Sequence, residues 1–243
     1  MDIELADDIA PEGEQRKILE SIIRDTGNNF DELLEFAEID QINVGGPEEY
    51  RDFYSRPMDI PGSSPPLWRH NPFSEGEIKF FVNDPTHVPH EMAHQIENIY
   101  NQIEKASETD TRNFETKSAA GRTFSESFAY LNQLKYFPKM PEFYSVEFDG
   151  TEELREDEIS WQRYSNSPTK HPDLHHTAGY QAALQLHEED IDPVNLLEEP
   201  EKYRQVAEDA VTAAWIEARN NGDIDRNQYN EVVEKSVESR LEK

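Results

Sequence analysis

The sequence predicts an α+β fold in which helices dominate, and three observations carry that prediction. Apolar residues recur at helical spacing along most of the chain, whereas β-favouring runs bounded by turn signals are few and short, the clearest being EIKFFV at residues 77–82. The chain has 243 residues, enough to close a sizeable core. Its hydrophobic fraction is only 35%, but aromatic residues make up 10%, which excludes a wholly disordered acidic chain. No internal repeat, low-complexity stretch or linker divides the sequence, so one domain spanning 1–243 is expected.

Taken in order, the first 38 residues read as two helices. Pro11 suits a first turn, Ile18, Leu19, Ile22 and Ile23 form a stripe ending near Gly27, and Phe30, Leu33, Leu34 and Phe36 mark a second, shorter helix. QINV at 41–44 resembles a short strand ended by Gly45-Gly46, and Pro47 restarts a helix. Five prolines between 57 and 73 make that stretch an irregular loop, and EIKFFV follows as a strand. Helices are then expected at about 88–105, 124–136 and 173–187, with polar connections between them, one of which has room for a hairpin near Asp149-Gly150. Two more helices, about 199–219 and 226–242, finish the chain, the first with a stripe of Ala210, Ala213, Ala214 and Ile216.

Charge narrows the function classes. Asp and Glu number 52 against 23 Lys and Arg, a formal net charge of −29. Such a surface repels phosphate backbones, which argues against a nucleic-acid binder. No apolar run approaches the roughly 20 residues that span a bilayer, so no membrane partner is expected. The acidic, polar start of the chain carries no export signal, which leads to an expectation of a cytoplasmic protein, with association with a virion left open. The absence of Cys excludes disulfides and thiolate chemistry. Acid spread along the whole length, rather than gathered in a tail, resembles the composition of proteins from extreme halophiles.

Residues 90–94 read His90-Glu91-Met92-Ala93-His94. On a helix, residues four apart stand one above the other, so both imidazoles can reach one ion, and the Glu between them can polarise a metal-bound water and carry its proton. Zinc lowers the pKa of such a water to about 7. Val88, Met92, Ile96, Ile99 and Ile103 define an apolar face, with His90 and His94 on the opposite side. The competing account is a surface helix whose His and Glu are solvated.

A catalytic zinc takes three protein ligands and keeps a position open; without Cys the third must be His, Asp or Glu. The candidate is Glu126, in Thr123-Phe124-Ser125-Glu126-Ser127-Phe128-Ala129. Phe124, Phe128 and Leu131 form a stripe that leaves Glu126 and Ala129 on the other face, where the small Ala allows close approach to the first helix. The same residues also fit a capping box, Thr123-x-x-Glu126, in which the Glu merely closes the start of a helix.

HEMAH followed downstream by Glu126-Ser127-Phe128-Ala129 resembles the gluzincin metallopeptidases, the thermolysin and aminopeptidase branch of the zincins, with Ser127 where that pattern often has Gly. The spacing between the two motifs is longer than in the best-known members. In aminopeptidase-like members a later helix opens with Y-x-x-G; here His176-x-x-Gly179 takes that place. The resemblance implies that His176 stabilises the oxyanion, as a His does in thermolysin-like enzymes, with Tyr180 next in line and His175 after it. The likeness covers about residues 75–187; the peptidases that cleave phage-type repressors fit less well, because Pro138 comes too early.

The resemblance therefore implies a zincin-like α+β domain with a small mixed sheet and the motif helix in an upper lobe, 1–105. A mostly helical lower lobe, 106–243, would follow, with zinc bound in the cleft. Strand 77–82 would be the sheet edge that pairs with an extended peptide substrate. The expected activity is zinc-dependent hydrolysis of peptide bonds in a peptide or protein substrate. His90, His94 and Glu126 would hold the metal, Glu91 would act as base, and His176 or Tyr180 would bind the oxyanion. The alternative is a catalytically inactive zincin-fold binding module, or a structural subunit of a larger cellular or viral assembly, using its acidic helical surface for protein partners. A third option, a nucleic-acid mimic, would not need the HEMAH helix. Asp223, Asp225, Asn227 and Glu234 fall at EF-hand positions, but Gln228 replaces the required Gly, and a helix cap explains them better. Trp68 and Trp161 are assigned to packing.

The charge yields a first prediction. At about 1 M salt the Debye length is about 3 Å, so surface carboxylates hardly repel one another, whereas in dilute buffer they oppose the compact state. The melting temperature should rise steeply with added salt; a value indifferent to salt contradicts the halophilic reading.

Overall fold

A computed structural model describes residues 1–10, 13–55, 58, 62–63, 76–106, 119–137 and 174–221. The chain divides into two compact units, one of residues 1–112 with 132–144, the other of 113–131 with 145–243. The expected last helix at 226–242, the EF-hand-like residues, both tryptophans named above and most of the proline-rich loop lie outside the described residues.

The first unit is built on a four-stranded sheet, β1 (Asp2–Leu5), β2 (Gln41–Gly45), β3 (Gly62–Ser63) and β4 (Glu77–Val82), in the order β1-β2-β4-β3. β1 pairs in parallel with β2, as Leu5 with Val44, and β2 pairs in parallel with β4, as Val44 with Phe80. The parallel pairs need crossovers, which α1 (Glu14–Asn29), α2 (Asp31–Phe36) and α3 (Pro47–Tyr54) supply. β4 has the bounds expected from the sequence, and the helix at Pro47 starts where expected.

β1 is new. Residues 2–5 (DIEL) carry too few apolar side chains to announce a strand, and they form one because β2 offers a parallel edge. α1 begins at Glu14 rather than at Pro11, because Gly13 adopts φ +136°, outside helical space. It continues through Gly27, burying Leu19, Ile22 and Ile23. In α2 only Leu34 is buried, and Phe36 is exposed.

β4 is not the open edge expected. β3 pairs antiparallel with it, Gly62 opposite Val82 and Ser63 opposite Phe81, so the chain itself occupies part of the edge assigned to a substrate. Successive β4 side chains face opposite ways. Phe81 meets Tyr50, Phe53 and Tyr54 of α3, while α4 (Val88–Ala106) packs on β4 and α1. Val88, Met92, Ile96 and Ile99 are buried, as their spacing predicts.

The helix α5 (Ala119–Tyr136) contributes to both units, its residues from Asn132 onward belonging to the first. There Asn132 Nδ2 donates to the Pro89 carbonyl at 2.7 Å, and Tyr136 donates to Asp25 at 2.7 Å. The second unit has α6 (Leu174–Glu188), α7 (Pro193–Glu198) and α8 (Pro200–Asn221), with α8 packed against α6 and α7. α6 buries Ala178, Ala182, Ala183 and Leu186; α8 buries Tyr203 and Ala207, while Ala213 of the expected stripe is exposed. Asp192 and Asn195 close the start of α7 as a capping box.

No helix among the described residues is long and apolar enough to cross a membrane.

Gly45 lets the sheet accept Phe81. A Cβ there would stand 2.6 Å from Phe81 Cδ1, in a ring that is fully buried. Gly45→Val should therefore cost about 1–3 kcal/mol, as overpacked cores do. Denaturant unfolding measures this, and an unchanged midpoint would show that the ring can move aside.

Candidate metal centre

The turn before α4 fixes where the motif helix starts. Asp84 caps a 3₁₀ turn, Pro85–His87, accepting from Thr86 N at 2.9 Å and from Thr86 Oγ1 at 2.7 Å. Its other oxygen lies 3.5 Å from His87 Nδ1. Pro85 and Pro89 occupy first-turn positions, where the missing N–H costs nothing.

His90 and His94 then stand one turn apart, their rings 4.9 Å between centroids and 82° between planes. The His87 ring lies 5.6 Å from that of His90. His90 is 3% exposed and Glu91 6%, which removes the account of a solvated surface helix. The helix is also not divided into one packed and one open face: Gln95 and Glu97 are buried along with the apolar stripe. Glu97 Oε2 lies 3.4 Å from His94 Nδ1.

α5 begins at Ala119, a full turn before Thr123, so Thr123 is a buried residue within the helix. The capping-box account of Glu126 fails for that reason. Phe124, Phe128 and Leu131 are buried as expected, but so are Thr123, Ser125, Ser127 and Ala129, leaving Glu126 half-buried on a helix covered nearly all round.

One ligand atom each of His90, His94 and Glu126 lies within 4.8 Å of the other two. Ligands on a tetrahedral zinc at 2.0–2.1 Å stand about 3.3 Å apart, so small side-chain adjustments would close such a group on an ion. Two imidazole nitrogens and a carboxylate oxygen suit divalent zinc, and the same donors also suit iron(II).

His176, in the first turn of α6, places Nδ1 2.9 Å from Glu126 Oε2. Gly179 makes that approach possible: a Cβ there would fall 2.4 Å from Glu126 Cβ and 3.1 Å from Ser127 N. Gly179 is thus the small residue that admits α6 beside Glu126. Tyr180 and His176 both lie against Tyr130, with ring centroids at 5.4 and 6.3 Å. His175 is half-buried in the same first turn.

Asp84, His87 and Glu97 were not singled out from the sequence. Asp84 followed by Pro85 is a legible capping signal, whereas Glu97 reads as one more acid on a polar helix face. No family model, curated protein or solved structure matches the chain.

Burial raises the pKa of Asp84, but hydrogen bonds from His87 and Thr86 and the nearby His87 charge outweigh it and hold the carboxyl below its ordinary value. A depressed folded-state pKa contributes stability that is present above the unfolded value and is lost as pH falls through the folded one. Asp84→Asn should lower the melting temperature at neutral pH, and the gap from wild type should narrow on acidification below the ordinary carboxylate range. A gap that stays constant with pH would assign the effect to packing.

Proposed function

We propose that the chain is a zinc-dependent peptidase of the zincin type, in which His90, His94 and Glu126 hold the metal. The observation that carries the reading is the burial of Glu91 between two histidines whose ligand atoms gather with one of Glu126. The donor set alone does not choose between zinc and iron(II); a buried carboxylate inside the His pair favours hydrolysis, because it is placed to take a proton from water.

When bound, zinc would supply a Lewis acid and a water whose pKa is lowered to about 7. The side chains do the rest. Glu91 accepts the proton of the attacking water and hands it to the leaving amine. As the doubly protonated imidazolium, His176 can face Glu126 with Nδ1 and donate to the oxyanion from Nε2, a contribution of about 3–4 kcal/mol in comparable sites. Tyr180 is the second candidate donor. A peptide that pairs with the sheet must find room beside β3 or extend the sheet beyond it.

Elemental analysis of the purified protein and a peptide-library assay in high salt test the proposal. Zinc should be present near one equivalent, and Glu91→Ala should keep it while losing about 100- to 10,000-fold in rate. His94→Ala should lose the metal. Full activity in either variant, or a fourth protein ligand on the zinc, would overturn the reading, the last in favour of a structural subunit.

A further inference from the structure

Glu97 is a carboxylate that hydrolysis does not require, yet it is buried on the motif helix. Its side chain is 4% exposed and sits one turn beyond His94, with Oε2 3.4 Å from His94 Nδ1. An exposed carboxylate–histidine pair three residues apart on a helix is worth only a few tenths of a kcal/mol, far less than burying a carboxylate costs. The pairing with His94 as a helix-stabilising contact therefore does not by itself account for the burial of Glu97.

We propose that Glu97 is a positioning residue for the metal ligand His94; the inference rests on the metal-centre reading above. Contact between Nδ1 and a carboxylate oxygen makes Nδ1 the protonated nitrogen, which leaves the lone pair on Nε2 for a metal. It also restrains rotation of the ring about its Cβ–Cγ bond, so the nitrogen arrives already aimed. Hydrogen bonding to a carboxylate makes the imidazole a stronger donor, and losing such a partner commonly weakens metal binding about 10- to 100-fold. The spacing follows from the helix itself: three residues bring Glu97 beside the far nitrogen of His94 without a contribution from any other segment. The carboxylate of Glu126 has a comparable neighbour in His176, at 2.9 Å.

The test compares wild type, Glu97→Gln and Glu97→Asp by zinc competition against a chromogenic chelator, by the visible spectrum after cobalt(II) substitution, and by melting of the zinc-free protein. Glu97→Gln should raise the zinc dissociation constant about 10- to 100-fold and alter the cobalt bands, with the zinc-free melting temperature close to wild type. Glu97→Asp, which keeps a carboxylate, should recover part of the affinity. Unchanged zinc affinity and spectrum in Glu97→Gln overturn the proposal alone. Equal losses in both variants, or a loss matched by the zinc-free melting temperature, also overturn it, since packing would then explain the effect. A wild-type protein that takes up no zinc overturns the metal-centre reading and this inference together.

Discussion

A helix that buries His90, Glu91 and Glu97 along with Val88, Met92 and Ile96 must find partners for polar groups on nearly every side. Each buried polar group left without one costs about 1–3 kcal/mol, and a domain has only about 5–15 kcal/mol to lose. That constraint organises the first unit. Asp84 collects the Thr86 amide, the Thr86 hydroxyl and His87 just ahead of the helix. Asn132 binds the Pro89 carbonyl at its first turn, and Glu97 faces His94. The sheet contributes through β4, on which α4 packs and whose Ile78, Phe80 and Val82 are buried.

In the second unit the corresponding constraint is closeness of backbones. Gly179 brings α6 so near to Glu126 that no side chain fits between them, and His176, three residues earlier, therefore reaches the carboxylate. Ser127 binds the Phe124 carbonyl of its own helix at 2.7 Å, so its hydroxyl is satisfied locally and needs no partner across that contact. His176-x-x-Gly179 was legible as a pattern; the short distance to Glu126 was not, because nothing local to the sequence says which helix Gly179 meets.

Signals internal to one element were readable. The apolar stripe of α4, the bounds of β4 and the Pro47 helix start all follow from periodicity and turn chemistry. What failed depended on a second segment. β1 has no strong preference of its own and exists through pairing with β2, and β3 covers part of β4 through two residues of a stretch that read only as proline-rich loop. The start of α5 was misplaced for another reason: Thr123-x-x-Glu126 is a sound capping signal, and an extra turn of Ala119, Ala120, Gly121 and Arg122 overrode it. That error bears on chemistry, because it decides whether Glu126 is occupied with its own helix end.

The acidity of the chain acquires a local meaning from burial. Among the described residues the buried carboxylates are Asp84, Glu91 and Glu97, all on α4 or in the turn before it, while most other described acids are exposed or half-exposed and screened by salt. Half-buried Glu126 offers a ligand atom within 4.8 Å of those of His90 and His94. Partly desolvated charges of one sign interact through a lower dielectric than surface charges, so solvent and mobile ions compensate them poorly. A divalent cation held by His90, His94 and Glu126 would balance two such charges directly, which gives the proposed metal an electrostatic role in the fold as well as in the reaction. It follows that salt and metal should act on different parts of the protein. Salt relieves repulsion spread over a surface of net charge −29, whereas the proposed metal would act only where His90, His94 and Glu126 offer their ligand atoms.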